Sequence, residues 1–246
     1  MFNARWAVQW YVIALAVLAG GFGEPCPAAT NLLARYERLY REARALADQQ
    51  ASNSQAAWVL ARACFDLSEF ATNDAQRAHL AREGIAAARA SILLQSNAAP
   101  AHYYLGVNLG RLADATRNLG GLKLVAEMER CFRTVLALDP HFDFAGADRC
   151  LGLLYRDAPG WPISVGHRGK ARHHLERACE LAPEYPDNQL NLIEAWLKWG
   201  DKKQAARQLT KVRACLEEAR KRFVGEEWAL SWQDWDRRWG LLQKGI

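Results

Sequence analysis

What most restricts this chain is an internal period. Apolar and small residues recur in paired segments: Trp58, Ala61 and Phe65 with Gly84, Ala88, Ser91 and Leu94; then His102, Leu105, Gly106 and Leu109 with Met128, Phe132, Val135 and Leu138. A third pair joins Leu151, Gly152 and Tyr155 to Ala171, Leu175, Ala178 and Leu181, and a fourth joins Leu192 and Trp196 to Ala205, Leu209 and Val212. Within pairs, the reference positions (Ala61 to Gly84, Leu105 to Met128, Leu151 to Ala171, Leu192 to Ala205) lie 23, 23, 20 and 13 residues apart. From one pair to the next the steps are 21, 23 and 21. Steps of three and four inside each segment put the apolar residues on one helix face. Helix pairs of this kind each leave an apolar face uncovered, so they are stable only against a neighbour. Only eight Pro and 17 Gly in 246 residues leave room for long helices. The expectation is an all-α array of about four helix-turn-helix units, with the turns inside the first three units lengthened.

An array needs closed ends. Leu32, Leu33, Tyr36, Leu39, Tyr40, Ala43 and Leu46 recur at helical spacing, giving an N-terminal capping helix over 29–54 ahead of a repeat domain over 55–216. Over 217–246, Trp228, Trp232, Trp235, Trp239 and Leu242 form a stripe on one helix face, with Asp, Arg and Gln on the other. That helix caps the last unit or meets a partner. Ahead of them all, Arg5 precedes an apolar run from Trp6 to Phe22, with small residues at Gly21, Gly23 and Ala28. Residues 1–28 read as a secretory signal or an uncut N-terminal anchor, and the chain as an exported protein.

Chemistry has few carriers here. A net charge of +5 without a basic block disfavours nucleic acid. Export would expose Cys64, Cys131, Cys150, Cys179 and Cys215 to oxidation, yet no CxxC occurs, and most read as small buried apolar residues. Cys131 with Cys150 is the first pair to test for a bridge. His167, His173 and His174 lack ligand spacing and read as helix surface, so no metal, cofactor or catalytic residue is expected.

The fourth unit, Pro186 to Cys215, resembles the tetratricopeptide repeat and keeps its 34-residue spacing. In such a stack the concave wall comes from the positions two before and two after the first-helix reference. Here these are Val59 and Ala63, Tyr103 and Val107, Arg149 and Leu153, Leu190 and Glu194. The wall is mostly apolar, the usual lining of a small-molecule site. Arg149 would grip a carboxylate through two parallel bonds, or pair with Asp148, Asp143 or Glu194 for structure.

A finer resemblance rests on Ala101-His102-Tyr103-Tyr104-Leu105-Gly106, Leu138-Asp139-Pro140-His141-Phe142-Asp143, Ala147-Asp148-Arg149 and Ala158-Pro159-Gly160-Trp161-Pro162. From about Trp58 to Trp196 the chain looks like the T-component family, the tetratricopeptide partners of tripartite ATP-independent periplasmic (TRAP) transporters. The resemblance implies a periplasmic homotrimer that docks the transporter's solute-binding subunit and carries a hydrophobic molecule or organic acid in an apolar channel. Members are typically lipid-anchored, whereas Gly23-Glu24-Pro25 before Cys26 lacks a lipidation signal. Pro159, Gly160, Trp161 and Pro162 would be the docking element, Trp161 serving as a stiff knob or as a plug between helices. The alternative function is a general periplasmic scaffold that binds a protein segment.

Overall fold

A computed structural model describes residues 27–116 and 119–245. The apolar run Trp6–Phe22 and Cys26 lie outside the described residues. The described chain is helical: α1 (Pro27–Gln49), α2 (Ser54–Ser68), α3 (Asp74–Leu94), α4 (Ala99–Thr116), α5 (Leu119–Leu138), α6 (Phe142–Asp157), α7 (Arg168–Leu181), α8 (Pro186–Lys198), α9 (Lys202–Arg222) and α10 (Ala229–Gly245). Pairs α2/α3, α4/α5, α6/α7 and α8/α9 are the four units, flanked by α1 and α10. Among the described residues no helix is long and apolar enough to cross a membrane. Two compact units divide between Leu138 and Asp139.

The helices start where side chains satisfy their first amides. Asn53 accepts from the Gln55 and Ala56 amides, Asn73 from Gln76, and Asp201 from Gln204. Each such cap contributes about 1 kcal/mol. Where the spacing predicts long turns, the extra residues mostly extend helices instead. Only five residues separate α2 from α3, while α3 and α5 run to 21 and 20 residues. The Ala-rich sequence of α3 favours helix over loop. Among the described residues, a true insertion, residues 158–167, joins α6 and α7.

In the first unit α1 packs on α2, with Ala43, Leu60 and Cys64 buried together and Tyr36 5.2 Å from the Phe70 ring. Leu39 and Leu46, expected on the covered stripe of α1, are partly exposed. Gly106 of α4 lets the Phe132 ring of α5 sit where a Cβ would come within 2.6 Å. In the second unit Gly152 of α6 does the same for Leu175 of α7. The repeat's small position is thus the place where the paired helix inserts a side chain. Cys64, Cys131, Cys150 and Cys215 are buried, Cys179 is half-buried, and all five are unbridged. Cys131 and Cys150 therefore do not form the bridge singled out from the sequence.

Candidate partner-binding surfaces

The insertion between α6 and α7 folds back on itself. The Gly166 amide donates to Pro159 O at 2.8 Å, and those of Ile163 and Ser164 to Gly160 O at 3.1 and 3.3 Å. The His167 amide donates to Tyr155 O at 2.9 Å, anchoring the loop's base to α6. Gly166 crosses so close to Ala158 and Pro159 that a side chain there would strike backbone. At the tip, Trp161 is 89% exposed and Ile163 66%, and the Trp161–Pro162 bond is cis. Trp161 is a projection and not a plug.

The eight wall positions are taken up inside their own units. Val59 and Ala63 pack on the Ala43–Leu60–Cys64 cluster. Tyr103 and Val107 are buried on α4, the Tyr103 ring 6.1 Å from Phe132, and Leu153 and Leu190 are buried on α6 and α8. Arg149 is structural: its Nη2 reaches Asp143 Oδ2 at 2.5 Å, and Nη1 donates to Phe144 O and Asn188 Oδ1. Asp143, Phe144 and Ala145 take left-handed backbone angles, φ 52°, 54° and 60°, and Arg149 holds the carbonyls of that turn. Glu194 is bonded to Arg238.

Sequence reasoning missed what gathers around Arg238. α10 lies against α8, and the Arg238 side chain is 1% exposed. It donates to Asp187 Oδ1 at 2.6 Å, Asn191 Oδ1 at 2.7 Å, Glu194 Oε1 at 2.8 Å and Oε2 at 2.9 Å, and Asp234 Oδ2 at 3.3 Å. Burial pushes the Asp234 carboxyl up, against the pull of Arg238. The signal was present: Asp187, Asn191 and Glu194 fall at steps of four and three, a polar stripe on one face of α8. The reading of α10 placed its Asp and Arg opposite the Trp stripe, whereas Asp234 and Arg238 are buried beside it. Trp235 is fully buried, and with Trp228, Phe223 and Phe144 it surrounds the Tyr185 ring at centroid distances of 4.4 to 6.4 Å. The stripe faces the core.

A family model described as Regulator of microtubule dynamics protein 1-3 matches residues 28–145, just under half of the chain. No curated protein matches. Among solved structures the chain is similar to TTC0263, a thermophilic TPR protein of Thermus thermophilus. The two are 18% identical with a TM-score of 0.64, over 87% of this chain and 94% of that one. It is also similar to MamA protein, at 15% identity and TM-score 0.51, over 80% and 98% of the two chains. This is a tetratricopeptide-like helical repeat array. None of these descriptions names a transporter component, and at such identities the likeness is one of fold.

Within the repeat of the first unit, α3, α4 and α5 border a groove of about 500 Å³ lined by Ile92, Leu93, Leu105, Cys131, Arg89 and Arg130, among others. Leu93 is 88% exposed at its rim, and Arg89 pairs with Glu127 across it at 2.9 Å. Of the three neighbouring histidines, His173 and His174 stay together, ring centroids 5.2 Å apart edge to face. His167 caps α7, accepting from the Lys170 amide, while His174 Nδ1 lies 2.7 Å from buried Asp148 and is not plain helix surface. Among the described residues no group of His, Cys, Asp and Glu is placed to hold a metal.

Proposed function

We propose that this chain is a non-catalytic scaffold that binds a protein partner, and that the Pro159–Pro162 loop is its docking element. The carrying observation is Trp161, exposed on a loop whose backbone is tied in four places. An indole costs free energy in water, and a pre-ordered one binds without losing much conformational entropy, which is why Trp dominates interface energetics. Similarity to TPR proteins supports a protein-binding scaffold at this general level.

A finer reading names the partner. The Ala158–Pro162 loop resembles that of T-component proteins, and its exposure favours docking of the solute-binding subunit of a TRAP transporter by a periplasmic, self-associating chain. A ligand channel is not needed for this reading, since Arg149 and Glu194 are already engaged.

The test is photo-crosslinking in the native host, with benzoylphenylalanine in place of Trp161. Capture of one defined protein, lost on adding excess wild-type chain, supports docking, and a solute-binding subunit in the adduct supports the finer reading. Adducts to lipid alone, or a complex that survives Trp161→Ala intact, overturn the proposal.

A further inference from the structure

The stretch from Ala158 to Leu175 carries Arg168, Lys170 and Arg172 and not one acidic residue. It holds the Trp161 loop and the start of α7, and two of its cations fall where a helix favours carboxylates. The unpaired amides of a first turn give that end a positive charge, so Asp or Glu there stabilise a helix and Lys or Arg oppose it. Arg168 and Lys170 stand in the first turn of α7, which has no acid, and His167 supplies the cap. Helix stability therefore gives no reason for them.

Their surroundings leave both charges uncompensated. Arg172 pairs with Glu176 at 2.9 Å, and Asp157, which ends α6, is taken by Arg156 and Lys198. Arg168 instead lies 5.2 Å over the Trp199 ring, and the Lys170 ammonium 5.2 Å over the Tyr155 ring. Among the described residues neither meets a carboxylate. A ring face holds a cation in place without neutralising it. Both side chains are exposed. The Gly160–Gly166 bridge closes the neck of the loop, so that Trp161 follows one side of it directly and Arg168 begins α7 two residues beyond the other.

We propose that the partner surface receiving Trp161 is an acidic protein face: an apolar socket for Trp161 and Ile163, flanked by Asp or Glu that pair with Arg168 and Lys170. This rests on the docking role of the loop and adds the chemistry of what docks there. A carboxylate at that place meets the cations and the positive end of α7 at once. Cations held at set positions also favour a protein over a lipid surface, since mobile headgroups gain nothing from fixed positions and the carboxylates of a folded partner match them.

Crosslinking tests it, with benzoylphenylalanine in place of Trp161 in the full chain and extract of the native host as the source of partner. Adduct yield should fall at least about tenfold when Arg168→Glu and Lys170→Glu are added, and persist with Arg168→Lys and Lys170→Arg. In the parent chain it should drop between about 0.05 and about 0.5 M salt, as the screening length shortens. Mass spectrometry should find Asp or Glu beside the crosslinked residue of the partner. Circular dichroism checks the fold of the variants, and the salt series needs none of them. A yield unchanged by charge reversal and by salt overturns the proposal and leaves docking by Trp161 intact, whereas the lack of any defined adduct in the parent chain overturns both. Binding of the purified chain to phosphatidylglycerol vesicles, lost in the Glu variant and without a protein adduct, overturns it in favour of a lipid surface.

Discussion

Asn108 on α4 donates through Nδ2 to the carbonyl oxygen of Ala61 on α2, 2.9 Å away and 47 residues earlier in the chain. The same nitrogen donates to Tyr104 O at 2.7 Å, and Gly84 of α3 lies against the amide so closely that a Cβ would come within 2.5 Å of Oδ1. One buried side chain thus fixes three helices. Gly84→Ala should destabilise the chain by about 1–3 kcal/mol through overpacking. Asn108→Ala should cost about as much by leaving the Ala61 carbonyl short of a donor. The double variant should lose less than the sum, because Asn108→Ala removes the amide that the Cβ of Gly84→Ala would strike. Urea midpoints of the four chains measure the coupling, and strict additivity would count against this packing.

Acid should weaken the second unit through Asp157. Burial alone would raise this carboxyl, but Arg156 at 2.7 and 2.8 Å and Lys198 at 2.6 Å outweigh it and hold it below the ordinary value. A folded-state value below the unfolded one adds stability that is present above about pH 4 and lost as pH falls through the folded value. Asp157→Asn should therefore be less stable at neutral pH and show a flatter decline between about pH 5 and 2. Parallel acid dependence in variant and wild type would exclude the role.

The five described thiols should be inert in the folded chain. Burial pushes Cys131, Cys179 and Cys215 up to about 12 and Cys64 higher still, leaving almost no thiolate at pH 8. Iodoacetamide should modify them slowly in buffer and completely in denaturant. Fast native labelling at Cys131, on the groove of the first unit, would show that the groove opens.

Trp161→Ala should change stability by no more than about 0.5 kcal/mol, the usual range for a surface site. Matching melting curves would qualify the variant for the docking experiment, whereas a marked loss would mean that the indole packs on something.

The repeat was legible because its spacing carries a packing rule: Gly106 and Gly152 occupy the position where Phe132 and Leu175 must enter, and that constraint survives in a single sequence. Helix lengths were not, since the spacing from Ala61 to Gly84 is the same whether its surplus residues coil or extend α3. Trp161 was legible as a rigid residue between two prolines, but projection and burial share that pattern. Arg238 was hidden because an Arg on a Trp-rich helix reads as solvated until Asp187, Asn191 and Glu194, some 44 to 51 residues earlier, are seen to face it.

Arg149 also does something a sequence reader would not assign to it. Three consecutive left-handed residues, none of them glycine, cost roughly 1–2 kcal/mol each. Their carbonyls at Asp143 and Phe144 are gripped by that one guanidinium, which also stands 5.0 Å over the Tyr185 ring. The side chain works as a tie rod under tension. An anion that drew Arg149 away would have to match the bonds to Asp143, Phe144 and Asn188 together, and in doing so would let Phe144 spring from its stack on Tyr185, loosening the aromatic floor beneath the C-terminal helix.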